Sequence, residues 1–94
     1  MKHRIRWAYD PREFGEAIRR VRLERGLTQA DLGERLGVGR MTISRLEKGE
    51  AVSVETALRA LSECGYAVAV APKFARLRLE ENALPGGGVA DTDG

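Results

Sequence analysis

The chain has 94 residues, 43% hydrophobic and 32% charged, with 16 Lys/Arg against 14 Asp/Glu and one cysteine. A chain this short buries one modest core, and no apolar run approaches the roughly 20 residues of a membrane span. The N-terminus, MKHRIRWAYD, lacks the apolar stretch of a signal peptide, and the lone Cys64 cannot close an internal disulfide, so the cytoplasm is the expected compartment.

The charge is unevenly spread. Residues 1–50 carry 12 basic against 8 acidic groups, whereas residues 81–94 carry none against 3. A basic front with an acidic tail suits a polyanionic partner for the front alone.

Residues 1–9 form an N-terminal arm in which Ile5, Trp7 and Tyr9 alternate like a short strand. The arm either packs on the domain edge, the favoured reading, or reaches outward as a basic extension. Asp10-Pro11-Arg12-Glu13 then reads as a helix start: Asp10 caps, Pro11 suits the first helical position and Glu13 completes a capping box. Phe14, Ala17, Ile18 and Val21 fall on one face at helical spacing, and Gly26 ends this first helix. Arg19, Arg20 and Arg25 read as solvated charge, with an extended phosphate footprint as the alternative.

Thr28 opens a second helix with Asp31 three residues on, Leu32 and Leu36 inward and Gly37 at its end. Gly33 is expected where helices two and three cross closest, because a residue without a side chain permits the approach. Val38-Gly39 is the turn. Arg40 to Lys48 is the third helix, with Ile43 and Leu46 inward and Arg40, Met41 and Thr42 facing out. Ser53 caps a fourth helix carrying Val54, Ala57, Leu58 and Leu61, ended by Gly65.

The period then changes. Tyr66, Ala67, Val68, Ala69 and Val70 alternate large and small, a strand-like pattern that Pro72 stops. A lone strand leaves its backbone edge unpaired and needs a partner. Two are open: the Ile5–Tyr9 arm of the same chain, or the same strand in a second copy, which satisfies a two-fold axis and is preferred. The intended organisation is therefore an arm (1–9), a helical domain (10–65), a dimerisation strand (66–72) and a C-terminal extension (73–94) whose Gly-rich, acidic end is expected to be disordered. Phe74, Leu77 and Leu84 give that extension only a weak helical stripe.

The two short helices joined by a tight turn define a helix-turn-helix. The runs RxxRGLTQADLGERLGV and TISRLEKGE make residues 14–63 resemble the Cro/repressor-type (XRE-family) helix-turn-helix domain. The resemblance implies an all-α, lambda-repressor-like fold of four to five helices, here with a short C-terminal β-strand. It implies binding to double-stranded operator DNA, with the third helix in the major groove. Arg40 stands where the family's leading base reader stands, often a glutamine, and arginine favours guanine. Met41 and Thr42 suit thymine methyls, and Arg45 is a further base reader or phosphate ligand. Gln29, Ser44 and Lys48 are the expected phosphate contacts. Arg22 and Glu47 match positions that form a partly buried, structural ion pair. Gly39 departs from the family's usual Ser or Thr cap.

The helix, Gly, strand and Pro succession in ECGYAVAVAPK resembles HipB-type antitoxins. That likeness implies a homodimer which represses its own operon and holds a toxin, a HipA-like kinase. The alternatives are a stand-alone XRE-family regulator and a pure interaction module. No enzyme is expected, because no nucleophile–base pair, carboxylate pair or metal-ligand cluster is visible. No cofactor is expected either: His3 has no clustered partner, and Gly86-Gly87-Gly88 lacks the strand and helix of a phosphate loop. Cys64 reads as a small buried apolar group.

Overall fold

A computed structural model describes residues 5–73. Four helices follow in order: α1 (Pro11–Glu24), α2 (Gln29–Leu36), α3 (Arg40–Lys48) and α4 (Val54–Glu63). Helix α3 lies against both α1 and α2, and α4 closes the other side against α2 and α1. The expected extension after residue 73, with its fifth-helix stripe and acidic tail, lies outside the described residues.

Three of the four helices start at a residue whose side chain caps them. The Asp10 carboxylate accepts from Glu13 N at 2.8 Å, as an N-cap does. Glu13 does not close a box on Asp10; its Oε1 accepts from Tyr9 N at 2.7 Å, one residue earlier. The full reciprocal box is at α2, where Thr28 Oγ1 accepts from Asp31 N and Asp31 Oδ2 accepts from Thr28 N, both at 2.9 Å. Those bonds, the backbone one first, hold the Asp31 carboxyl below its ordinary pKa. Ser53 caps α4 by accepting from Thr56 N at 3.1 Å.

Ile18 and Val21 from α1, Leu32 and Leu36 from α2, Ile43 and Leu46 from α3, and Ala57, Ala60, Leu61 and Cys64 from the α4 end form the core. Of the apolar residues on α4, Val54 and Leu58 are 72% and 46% exposed. The buried stripe of α4 runs through Ala57, Ala60, Leu61 and Cys64, which leaves Val54 and Leu58 at its edge. Burial also pushes the Cys64 thiol up from its ordinary pKa, so it stays a neutral apolar filler.

Gly33, expected at the α2–α3 crossing, approaches the backbone of the turn between them, and a second glycine serves the α1–α3 contact. A Cβ on Gly33 would meet Val38 O at 2.8 Å and Gly39 C at 3.3 Å, so Gly33 makes room for the turn that folds back over α2. Gly15 marks the tight helix crossing. A Cβ there would run into the carbonyl oxygens of Leu46 and Glu47 in α3. Glycine inside a helix costs up to about 1 kcal/mol relative to alanine, and here the α1–α3 contact requires it.

That contact brings Arg22 of α1 onto Glu47 of α3. Arg22 Nε donates to Glu47 Oε2 at 2.5 Å and Nη2 to Oε1 at 3.0 Å, with side chains 7% and 3% exposed. Arg22 Nη1 donates to Leu27 O at 2.8 Å, and Gln29 Nε2 donates to Glu47 Oε1 at 3.0 Å. All three guanidinium nitrogens and both carboxylate oxygens are therefore satisfied, as desolvated charges require.

No strand forms among the described residues. Among the described residues, Tyr66–Val70 makes no ladder with Ile5–Tyr9, so that same-chain pairing is not observed. Both segments instead converge on Glu24. Arg6 Nη2 donates to its Oε2 at 2.9 Å, and Tyr66 Oη donates to its Oε1 at 2.8 Å. The second bond, first among the causes, holds the Tyr66 phenol above its ordinary pKa.

Glu47→Ala should leave the Arg22 guanidinium buried and unpaired, at a cost of about 3–5 kcal/mol. Chemical denaturation of the variant measures this. A loss within 1 kcal/mol, the size expected for an exposed pair, would show that the contact contributes little to the fold.

Candidate nucleic-acid interface

The outward face of α3 follows from its helical repeat. Ile43, Leu46 and Glu47 are buried, so residues about half a turn away point to solvent. Met41, Arg45 and Lys48 recur at intervals of four and three and are exposed, Met41 by 63%. Arg40 is exposed beside them, while Thr42 and Ser44 are half-buried at the two margins of the face. The structure thus brings Arg40, Met41, Arg45 and Lys48 to one open surface, with Thr42 and Ser44 at its borders.

The first turn of α3 contains no acidic residue, and Gly39 supplies no side-chain cap. Its backbone, φ −75° and ψ 160°, is ordinary extended geometry, and a Cβ there would meet nothing within 4 Å. Glycine is therefore not demanded at this position by shape. The helix start is left positive, with an arginine as its first residue.

Gln29 is placed differently from expectation. It is half-buried at the first position of α2, and its amide nitrogen donates inward to Glu47. The ionised Asp31 carboxylate sits one turn along the same helix start. The inward bond ties the Gln29 amide to the ion pair.

Among the helix-one arginines, Arg19 and Arg20 are exposed. Arg25 is not merely solvated: its Nε donates to Cys64 O at 3.0 Å and caps the end of α4. The sequence offered no signal for that bond, which joins residues 39 apart. The arm packs against the domain through Arg6, and its Trp7 and Tyr9 rings stack with centroids 6.3 Å apart.

Among the described residues, no group of three or more His, Cys, Asp and Glu is placed to hold a metal ion. No helix there is long and apolar enough to cross a membrane.

The same framework occurs in known proteins. A helix-turn-helix family model matches residues 18–69. Proteins of Methanoregula boonei and Methanospirillum hungatei, both named as HTH-type transcriptional regulators, are 44% identical over 45 residues. The match covers 48% of this chain but only 14% and 15% of those longer relatives. Among solved structures, a HipB variant in complex with an O2 20mer superposes with a TM-score of 0.68 at 24% identity, covering 74% of this chain and 99% of HipB. HipB in a HipA–HipB–O2–O3 complex gives 0.67 at 23% identity, covering 73% and 99%. At these identities the likeness to HipB establishes the shared fold. The family match spans more than half of the sequence, and the chain belongs to the XRE-type helix-turn-helix family of DNA-binding regulators.

Proposed function

We propose that this protein is a sequence-specific repressor that binds double-stranded operator DNA as a homodimer, and that it is the antitoxin of a type II toxin–antitoxin pair. The observation that carries the DNA reading is the exposed Arg40, Met41, Arg45 and Lys48 face, held rigid by the buried pair behind it. Arg40, Met41, Thr42 and Arg45 read bases. Ser44, Lys48 and the backbone at Gln29 contact phosphates. Arg40 pairs with a guanine in each half-site.

The dimer closes through residues 66–70. Ala67 to Val70 are exposed, Val70 by 96%, while Tyr66 is pinned to Glu24. A segment anchored at one end, with apolar side chains and an open backbone edge, suits antiparallel pairing with its own copy. Such a pair sets two α3 helices against half-sites about one DNA turn apart.

The antitoxin reading is supported by the fold shared with HipB, which has been solved together with HipA. A HipA-like kinase is the corresponding toxin, and the repressor acts on the operon that encodes both. A stand-alone regulator is the second reading, favoured by relatives that are named simply as transcriptional regulators.

Arg40→Ala should weaken binding to an operator selected from random duplexes by about 1–3 kcal/mol and relax specificity at one position. Unchanged affinity and specificity would remove Arg40 from the readers. Val68→Pro should give monomers in sedimentation and weaker operator binding; persistent dimers would place the interface elsewhere. A tagged protein drawn from its native lysate should retain a HipA-like kinase. Recovery of no stoichiometric partner would overturn the antitoxin role and leave the stand-alone regulator.

A further inference from the structure

Helix α1 turns several faces to its surroundings, and they follow one another around the helix at about 3.6 residues per turn. Ile18 and Val21 face the core. Gly15 and Arg22 face α3, the first against the carbonyls of Leu46 and Glu47, the second paired with the Glu47 carboxylate. Glu13, Glu16, Ala17 and Arg20 line a pocket together with Arg6 and Trp7 of the arm, so the arm runs along that side. The strip between α3 and the arm is exposed. It holds Arg12 and Arg19, seven residues apart and therefore almost in line, with Leu23 one turn beyond.

The strip joins the α3 surface. Arg12 stands three residues before Gly15, and Arg19 three before Arg22, so each is the exposed helical neighbour of a residue that touches α3. The start of α1 also meets the end of α3: a Cβ on Gly49, next after Lys48, would lie 2.7 Å from Arg12 Cα. Phe14, on the opposite side of α1, shares a groove with Val54 and Leu58 of α4, so the arginine strip is turned away from α4. Among the described residues neither Arg12 nor Arg19 makes an ion pair, whereas Arg6, Arg22 and Arg35 do. The loop after α3, Gly49-Glu50-Ala51-Val52, has one charged residue, and it is acidic. That loop offers no cation beyond the end of α3; the α1 strip offers two.

We propose that Arg12 and Arg19 bind the sugar–phosphate backbone of duplex DNA, as a second row of cations beside the α3 face. The proposal rests on the reading of α3 as the helix that enters the groove. Arg20 is not in the row, because it lies on the arm side. Seven residues rise about 10 Å along a helix, about three nucleotide steps of one strand, so each arginine meets a phosphate of its own. An arginine on a phosphate adds affinity without sequence preference and releases counterions, so its signature is the salt dependence of binding.

The experiment measures affinity against salt concentration for the full chain on two duplexes, an operator selected from random sequences and an unrelated duplex of the same length. Arg12→Ala/Arg19→Ala should make the slope of log K against log salt shallower by about two. Affinity should fall by the same factor on both duplexes, and Arg12→Lys/Arg19→Lys should keep the wild-type slope. Both side chains are exposed, so circular dichroism should show the helices retained. Arg59→Ala removes a positive charge from the exposed side of α4 and should leave the slope as it is. An unchanged slope in the double alanine variant overturns the inference and leaves DNA reading by α3 in place. A shallower slope in Arg59→Ala overturns it too, because the effect is then one of net charge. A loss confined to the operator would make the two arginines base readers and overturns the phosphate role. Wild-type protein that binds neither duplex overturns this inference together with the reading it rests on.

Discussion

The buried Glu47 carboxylate is the constraint on which the rest depends. It belongs to the helix that presents the reading face, yet its two oxygens accept from Arg22 on α1 and from Gln29 on α2. One side chain thus connects α3 to both helices behind it, and Arg22 adds the α1–α2 loop through Leu27 O. A domain this small has little apolar surface with which to fix three short helices at defined angles. Directional charge-assisted bonds supply that definition, although desolvating the charges offsets much of their Coulomb energy. Substituting one member is then far more costly than the net worth of the pair.

Glycine makes this arrangement possible. The carbonyls of Leu46 and Glu47 sit where a side chain at position 15 would be, so α1 and α3 approach at backbone distance and the Arg22–Glu47 pair can close. The sequence carried a hint in an isolated Gly inside a strongly periodic helix. Its partner was not deducible, because a crossing point depends on helices that are far apart in the chain. Gly33 drew attention instead through its place before the turn, and it does serve close approach, but to the turn backbone.

Local signals were the legible ones. The Asp10, Thr28 and Ser53 caps declare themselves by residue type, and α1, α2 and α4 begin where those caps lie. Ile18, Val21, Leu32, Leu36, Ile43 and Leu46, read from the period of α1 to α3, are in the core, while Phe14 and Ala17 are half-buried beside it. At α4 the pattern was ambiguous: alanines can fill a stripe as well as Val54 and Leu58, and it is Ala57 and Ala60 that are buried. Long-range polar contacts were illegible. The Arg25 bond to Cys64 O and the inward turn of the Gln29 amide depend on where distant elements come to rest. The strand at 66–70 was legible as a pattern, but pattern alone does not provide an edge to pair with.

The Glu24 contacts carry a topological consequence. Arg6 and Tyr66 meet on one carboxylate, and Lys73 lies over the Tyr9 ring, so the arm before α1 and the segment after α4 are neighbours in space. The segments that enter and leave the helical domain therefore lie on the same side of it. A linker joining the segment after α4 to the arm would connect neighbours, and new ends opened within the α3–α4 loop would leave the Asp10, Thr28 and Ser53 caps intact. The order in which the helices are written along the chain is therefore separable from the shape they make together.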